Sequence, residues 1–173
     1  MKCFLSHSFR AEDNDVGEWF RRFLEAFSDI KIVEAGDRPC PPDEQIDSLL
    51  NECDFLCAIV TSRDGAVPQW VSDEISRALA LNKTVIAFVE EGIADLGSIR
   101  QRLNYKPFCR AKLGYLSPAY VRYIQELRRQ FYERVGQSRS ALLDRMRQLA
   151  QENAKLKLEI EYLTAAQNRE DDL

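Results

Sequence analysis

Glu74 is an acidic side chain at a position where parallel sheets bind ligands. The apolar run DFLCAIV predicts a buried strand at Phe55 to Val60, and the pattern after Pro68 predicts an amphipathic helix from Val71. Ligands of open α/β sheets bind at the carboxyl ends of the strands, where such helices begin. A carboxylate there can stabilise a developing positive charge, and Glu74 need only be ionised, which an ordinary carboxyl pKa provides. The competing interpretation is a solvated carboxylate that interacts with the helix dipole.

An aromatic residue accompanies this carboxylate. Trp70 precedes Glu74 by four residues, so the two side chains share one side of a helix. Trp70 can pack on a bound ligand or belong to the core, and both interpretations stay open. His7 is the only histidine, and the sequence contains no Ser–His–Asp arrangement for nucleophilic hydrolysis.

Strands and helices alternate along the chain. The expected strands are Lys2 to Ser6, Ile30 to Val33, Phe55 to Val60 and Thr84 to Val89. The first expected helix starts at Asp15, which would be its N-cap residue. The other expected helices span Glu44 to Asn51, Val71 to about Asn82, and Ile99 to Leu103. Glu34 to Asp43, with three prolines, is expected to be a loop. Alternation of this kind predicts an α/β fold with a parallel sheet and helices on both faces.

Composition narrows the classes of function. The chain has 173 residues, 45% of them apolar, and a net charge of −4, so a basic surface for nucleic acid is not expected. No apolar run is long enough for a membrane span, and no signal peptide is evident. Five cysteines without a CxxC pair and one histidine indicate no metal site. Reduced cysteines in a cytoplasmic protein are the simplest interpretation.

The carboxyl-terminal segment carries a heptad repeat. Leu142, Leu149, Leu156 and Leu163 recur every seven residues, which places Asn153 at an a position if the leucines occupy d. Asn at a with Leu at d favours a parallel two-stranded coiled coil, in which Glu152 at g would face Lys157 at e of the partner helix. The alternative is an amphipathic helix that packs back on its own domain. We therefore expect a globular domain at 1–135 and a coiled-coil helix at 136–173.

Several motifs in order resemble the TIR (Toll/interleukin-1 receptor) domain family over about residues 1 to 125. FLSHS resembles the first strand and turn of that family, and EAG at Glu34 to Gly36 resembles the start of its mobile loop. DFLCAIVTS followed by QWVSDEISRAL resembles the third strand and the W-x-x-x-E helix of the branch that cleaves NAD+, and NKTVIAFV resembles the fourth strand. The resemblance implies a flavodoxin-like parallel sheet, the TIR fold, followed here by the coiled-coil helix.

The resemblance also implies an activity and a site. The activity is cleavage of the nicotinamide–ribose bond of NAD+ to nicotinamide and linear or cyclic ADP-ribose, in immune or cell-death signalling. Glu74 falls on the catalytic glutamate and Trp70 on its neighbouring aromatic residue. Substrate contacts fall on the turn Ser6, His7 and Ser8, and on the loop that starts at Gly36. NAD+ is the substrate, no further cofactor is implied, and activity would depend on a homo-oligomer held by TIR–TIR contacts and the coiled coil.

Two other functions compete with this one. A TIR scaffold that recruits other TIR domains without catalysis would not need Glu74. An enzyme similar to nucleoside deoxyribosyltransferases would share a related sheet and a catalytic glutamate, but would leave the carboxyl-terminal heptads unexplained.

Overall fold

In the part of the chain that the structure describes, five parallel strands form one sheet, connected by helices. The computed structural model describes residues 1–33, 42–62, 65–97, 99–114 and 117–170, and for 42–45, 102 and 154–170 it describes the backbone alone. The strands are β1 (Lys2–Ser6), β2 (Lys31–Val33), β3 (Phe55–Val60), β4 (Thr84–Glu90) and β5 (Lys106–Phe108). The helices are α1 (Asn14–Glu25), α2 (Pro42–Glu52), α3 (Gln69–Ala80), α4 (Ile99–Arg102) and α5 (Pro118–Glu170).

The sheet has the strand order β2-β1-β3-β4-β5. All pairings are parallel, with Cys3 of β1 beside Phe55 of β3 and Phe55 beside Thr84 of β4. This order is that of a flavodoxin-like α/β fold, and the predicted fold class is confirmed. The chain leaves β1 toward β2 on one side and leaves β3 toward β4 on the other. The two connections diverge there, which opens a crevice between the carboxyl ends of β1 and β3.

Each face of the sheet has its own apolar layer. On one face, α2, α3 and α4 bury a core cluster whose helical members include Leu50, Ile75 and Ile99. On the other face, Phe20 of α1 packs against Phe88 of β4 and Phe108 of β5, with ring centroids 4.7 and 5.2 Å apart. Residues alternate between the faces along each strand. Since Phe4 belongs to the α3 face, Ser6 at the end of β1 also faces α3.

Helix α3 ends just before Asn82, close to the end that the sequence predicts. Asn82 has a left-handed backbone with φ of 54°. The amide of Lys83 donates to the carbonyl of Ala78 at 2.9 Å, and the amide of Asn82 donates to that of Leu79 at 3.0 Å. These two bonds form a Schellman motif, which satisfies carbonyls that the helix leaves free.

Several sequence expectations were wrong in detail. Helix α1 starts at Asn14 with Asp13 as its N-cap residue, so Asp15 lies within the first turn instead of capping it. Helix α2 starts at Pro42, two residues before the expected start, because proline suits a first helical turn. Strand β5 was not expected. The predicted loop from Glu34 lies largely at 34–41, outside the described residues.

The chain divides into two compact units, Met1–Leu116 and Ser117–Leu173. The second unit consists of α5, which begins at Pro118 and continues through 135 and 136 as one helix. The predicted domain boundary at 135, and the coiled coil beyond it, stay predictions. In the described residues, no helix is both long and apolar enough to cross a membrane.

Candidate functional site

Glu74 lies in the second turn of α3 and is buried. The helix begins at Gln69, earlier than expected, so Glu74 is beyond the first turn. Its side of the helix faces the sheet, and Glu74 retains only 9% of its exposed surface. Burial therefore excludes the interpretation of Glu74 as a solvated carboxylate that interacts with the helix dipole.

Burial also changes the acidity of Glu74. Loss of solvation raises the pKa of its carboxyl, and the nearby carboxylate of Asp73 adds to the rise. The Ser6 hydroxyl and the Arg77 guanidinium act in the opposite direction but do not cancel the effect of burial. The expectation of an ordinary pKa was wrong, because sequence position does not reveal how deeply α3 buries this side.

Ser6 is the polar group that faces Glu74. It ends β1, lies beside Ala58 of β3 in the sheet register, and is buried. Its hydroxyl is close enough to lower the pKa of Glu74, yet the pair falls outside ordinary hydrogen-bond geometry. Among the described residues the Ser6 Oγ atom has no hydrogen-bond partner. A buried hydroxyl without a partner is costly, and a ligand atom between Ser6 and Glu74 would satisfy both groups.

The cation nearest in sequence to Glu74 is engaged elsewhere. Arg77 Nη1 lies 3.3 Å from Asp47 Oδ1 of α2, so its charge is shared with another carboxylate. Within the described part of the chain, no ion pair to Glu74 is formed. A buried carboxylate without an ion pair reduces stability, and such groups are concentrated at functional sites.

The other predicted site residues are in different environments. Trp70 is half-buried in the first turn of α3 and packs against the core cluster. His7 Nδ1 donates a hydrogen bond to the Ser8 carbonyl oxygen at 2.9 Å, and the ring lies directly over Gly17 of α1. Gly36 lies outside the described residues. The structure therefore brings Ser6 and Glu74 together, whereas His7 packs toward α1.

A network around Arg110, which follows β5, joins the segments after β1 and β3 to the last residue of β4. Arg110 Nε donates to Glu90 Oε1 at 2.6 Å, and Nη2 donates to Asp13 Oδ1. The Thr61 hydroxyl donates to Asp13 Oδ2 at 3.0 Å, and the Ser62 amide donates to Glu90 Oε2 at 2.8 Å. We call these five residues the Arg110 network.

Electrostatic interactions keep Asp13 and Arg110 of this network ionised. Burial alone would raise the pKa of the Asp13 carboxyl, but hydrogen bonds from Ser8, Arg110 and Thr61 outweigh burial and hold the pKa below its ordinary value. Hydrogen bonds to Glu90 and Asp13 raise the pKa of Arg110. Since Asp13 contacts Ser8 and Thr61, the network ties the segment after β1 to that after β3. It thus fixes the two sides of the crevice next to Ser6.

Little in the sequence indicates the Arg110 network. Arg110 and Asp13 are 97 residues apart in the chain, and neither falls in a recognisable motif. The one available indication was Thr61 and Ser62 after a buried strand, a position at which polar side chains hold loops together. Ser8, a predicted substrate contact, interacts with Asp13 and so lies next to this network.

Comparisons with known proteins support the fold. No protein-family model and no curated protein matches the chain. A solved structure of Clostridium botulinum CMP N-glycosidase, BcmB, is similar with a TM-score of 0.50 and 21% identity, over 73% of this chain and 98% of that chain. A 2-desoxiribosyltransferase from Leishmania mexicana has a TM-score of 0.42 and 18% identity, over 51% of this chain and 63% of that chain.

The TIR domains of the activated Roq1 resistosome have a TM-score of 0.42 and 15% identity, over 60% of this chain and 64% of that chain. At these identities the comparison with BcmB concerns the fold alone, and the other two are too distant to add to it. Fold and site together define the class: a flavodoxin-like α/β domain with a buried carboxylate beside the crevice between β1 and β3.

Proposed function

We propose that this protein is an N-glycosidase of the TIR type that cleaves the nicotinamide–ribose bond of NAD+, with Glu74 as the catalytic carboxylate. The observation that carries the proposal is a buried carboxylate without an ion pair among the described residues, facing a buried hydroxyl without a hydrogen-bond partner. Such a pair is unfavourable in the free protein. It becomes favourable once a polar ligand lies between the two groups.

The chemistry needs one well-placed negative charge. Heterolysis of the C1′–N bond leaves the bonding electrons on nicotinamide, whose pyridinium nitrogen becomes neutral, so no acid has to protonate the leaving group. The ribose becomes an oxocarbenium-like cation, as in other glycosidic cleavages. Ionised Glu74 stabilises that cation and accepts hydrogen bonds from ribose hydroxyls. Water then attacks C1′ and loses a proton to give ADP-ribose, or an adenine nitrogen attacks to give a cyclic product.

The raised pKa of Glu74 fits this role. A carboxylate that water solvates poorly interacts more strongly with a nearby cation than an exposed one does. The same environment gives a testable pH dependence, because only the ionised form stabilises the transition state. We expect the rate of cleavage to rise with pH through the pKa of Glu74, which lies above the ordinary glutamate value.

Substrate contacts follow partly from geometry and partly from the family resemblance. The Ser6 hydroxyl, which faces Glu74, is suited to a ribose hydroxyl. The resemblance adds Trp70, His7 and Ser8, and the loop that starts at Gly36. We further propose that the protein is cytoplasmic and acts in immune or cell-death signalling. Four cysteines are free thiols in the described residues, which supports the proposed location in a reducing compartment.

The deciding experiment compares two isosteric substitutions on one helix. Purified wild type, Glu74→Gln and Asp73→Asn are incubated with NAD+, nicotinamide is measured by chromatography, and the second product is identified by mass. Asp73 is exposed and contacts Gln69 at 2.9 Å, so its variant controls for loss of a charge on α3. We expect Glu74→Gln to lose nearly all activity and Asp73→Asn to keep it. Equal nicotinamide release by wild type and Glu74→Gln would refute the assignment.

A parallel assay with CMP tests the choice of substrate, since BcmB is described as a CMP N-glycosidase. Cytosine leaves less readily than nicotinamide because it carries no positive charge before cleavage. Release of cytosine without release of nicotinamide, abolished by Glu74→Gln, would keep the catalytic residue and replace NAD+ as the substrate.

The competing function is a non-catalytic TIR scaffold. It would account for the fold equally well, but not for a buried carboxylate that forms no ion pair with any residue that the structure describes. Self-association without cleavage of any nucleotide tested would favour the scaffold.

A further inference from the structure

Exposed apolar side chains are concentrated on α5. Where side chains are described, eight large apolar residues are exposed, and only Phe9 and Leu81 of these lie outside this helix. The other six are Tyr132, Val135, Leu142, Leu143, Met146 and Leu149. Soluble proteins rarely leave a contiguous apolar stripe in water unless another surface covers it.

These residues follow a coiled-coil repeat. Val135, Leu142 and Leu149 are seven residues apart and occupy d, whereas Tyr132 and Met146 occupy a. Leu143 falls at the flanking e position. The opposite side of the helix is polar: Arg147 at b pairs with Asp144 at f at 3.3 Å. The stripe therefore begins at Tyr132, ten residues before the leucine repeat that the sequence alone reveals.

We infer that this stripe, which we call the α5 seam (the a and d positions from Tyr132 to Asn153), is the docking surface for the same helix of a second copy of the chain, in a parallel two-stranded coiled coil. Leu142 and Met146 expose 64% and 63% of their surface, and Leu149 exposes 44%. The inference does not depend on the proposed catalytic function.

Asn153 is the reason that we infer an identical helix in parallel orientation as the partner. In a parallel pair each a residue meets the a residue of its partner, so the Asn153 amides of two copies can hydrogen-bond to each other. In an antiparallel pair a residues meet d residues, and Asn153 would face an apolar side chain. By sequence register Glu152 falls at g and Lys157 at e of the next heptad, which places opposite charges together only when two copies run parallel.

One residue weakens the seam. Arg139 occupies an a position between Tyr132 and Met146, where two copies would bring like charges together. Its long side chain can carry the guanidinium outward to water, at the expense of packing. Replacing Arg139 with leucine removes the repulsion and extends the apolar contact. We therefore expect Arg139→Leu to tighten association, which a stripe facing solvent or another protein would not do.

Sedimentation velocity of the full chain over a concentration series tests the inference. We expect a concentration-dependent dimer for wild type and at least about a hundredfold rise in Kd for Leu142→Glu with Leu149→Glu, about 2.8 kcal/mol. The matched control adds the same two charges outside the seam, as Gln148→Glu with Gln151→Glu, and should dimerise like wild type. Arg139→Leu should lower Kd at least about tenfold.

Three results would overturn the inference. One is a wild-type chain that stays monomeric at every concentration, and another is a Leu142→Glu, Leu149→Glu variant that associates as tightly as wild type. The third result concerns Asn153. Asn153→Leu should convert the dimer to a mixture with higher oligomers, because a buried Asn at an a position specifies the two-stranded state. An unchanged dimer in this variant would contradict the parallel arrangement. Circular dichroism of each variant checks that α5 stays helical.

Discussion

Gly17 lies in the middle of α1, and we predict that replacing it with alanine destabilises the protein. A Cβ atom at this position would lie 2.8 Å from His7 Nδ1 and 3.0 Å from His7 Cε1. Favourable contacts between such atoms are about 3.5–4.0 Å, so the His7 ring would have to move. The ring is held by the hydrogen bond from Nδ1 to the Ser8 carbonyl and by contact with Phe9, whose ring centroid is 4.7 Å away.

Opposing contributions to the free energy of unfolding decide whether Gly17→Ala stabilises or destabilises the protein. Alanine in place of glycine within a helix ordinarily adds about 1 kcal/mol of stability. Overfilling a packed site costs about 1–3 kcal/mol, and a disrupted hydrogen bond costs about 1 kcal/mol. We expect Gly17→Ala to lower the free energy of unfolding by about 1–3 kcal/mol. In a His7→Ala background, where the obstacle is absent, the same change should raise it by about 1 kcal/mol.

A double-mutant cycle measures this coupling. Urea unfolding of the four proteins can be followed by tryptophan fluorescence, since Trp19 lies on α1 and stacks on Phe23 at a centroid distance of 5.5 Å. A coupling energy of about 2–4 kcal/mol between His7 and Gly17 is expected. If Gly17→Ala stabilises the protein by the full helix-propensity gain while His7 is present, the packing argument is wrong.

Three further predictions concern single groups. Glu74→Gln should raise Tm near neutral pH, because burial raises the pKa of Glu74 in the folded state and ionisation of the buried carboxyl above that pKa costs stability. The gain in Tm should disappear below the pKa that Glu74 has in the unfolded chain. An equal gain at all pH values would exclude this cause. Asp13→Asn should cost about 1–3 kcal/mol in chemical denaturation at pH 7, discounted because the Arg110 side chain is 33% exposed. Because the folded-state pKa of Asp13 is lowered, the advantage of wild type should fade as pH drops through that pKa, and a pH-independent difference would contradict it. Asn82→Ala should cost about 1 kcal/mol because of the left-handed backbone at this position, whereas Asn82→Gly should not, and equal melting temperatures of the two variants would refute this.

The fold could be predicted because its buried strands are continuous apolar runs. Strand β3 is buried at every residue, and most of β4 is buried too, so both appear in the sequence as short runs without polar interruption. Strand β5 was missed for the opposite reason. It has three residues, starts with Lys106 and includes Pro107, a composition that is typical of an edge strand and carries no periodicity.

The site could be predicted only in part. The topology of parallel sheets places a helix-borne residue such as Glu74 near the crevice, so its location followed from the order of strands and helices. Its burial, its raised pKa and its proximity to Ser6 depend on how α3 packs on the sheet, which no local pattern encodes. The Arg110 network depends on contacts between distant segments. The position of Asp13 in that network also explains why it makes no side-chain capping bond to α1.

The position of β1 within the sheet constrains how the chain acquires its structure during synthesis. Strand β1 lies between β2 and β3, and its Cys3 is beside Phe55. The ribosome therefore releases a strongly apolar strand well before one of its two neighbours exists. Until β3 emerges, β1 has an open edge on which other nascent chains can add, so slower translation ahead of β3 should increase the demand for chaperones.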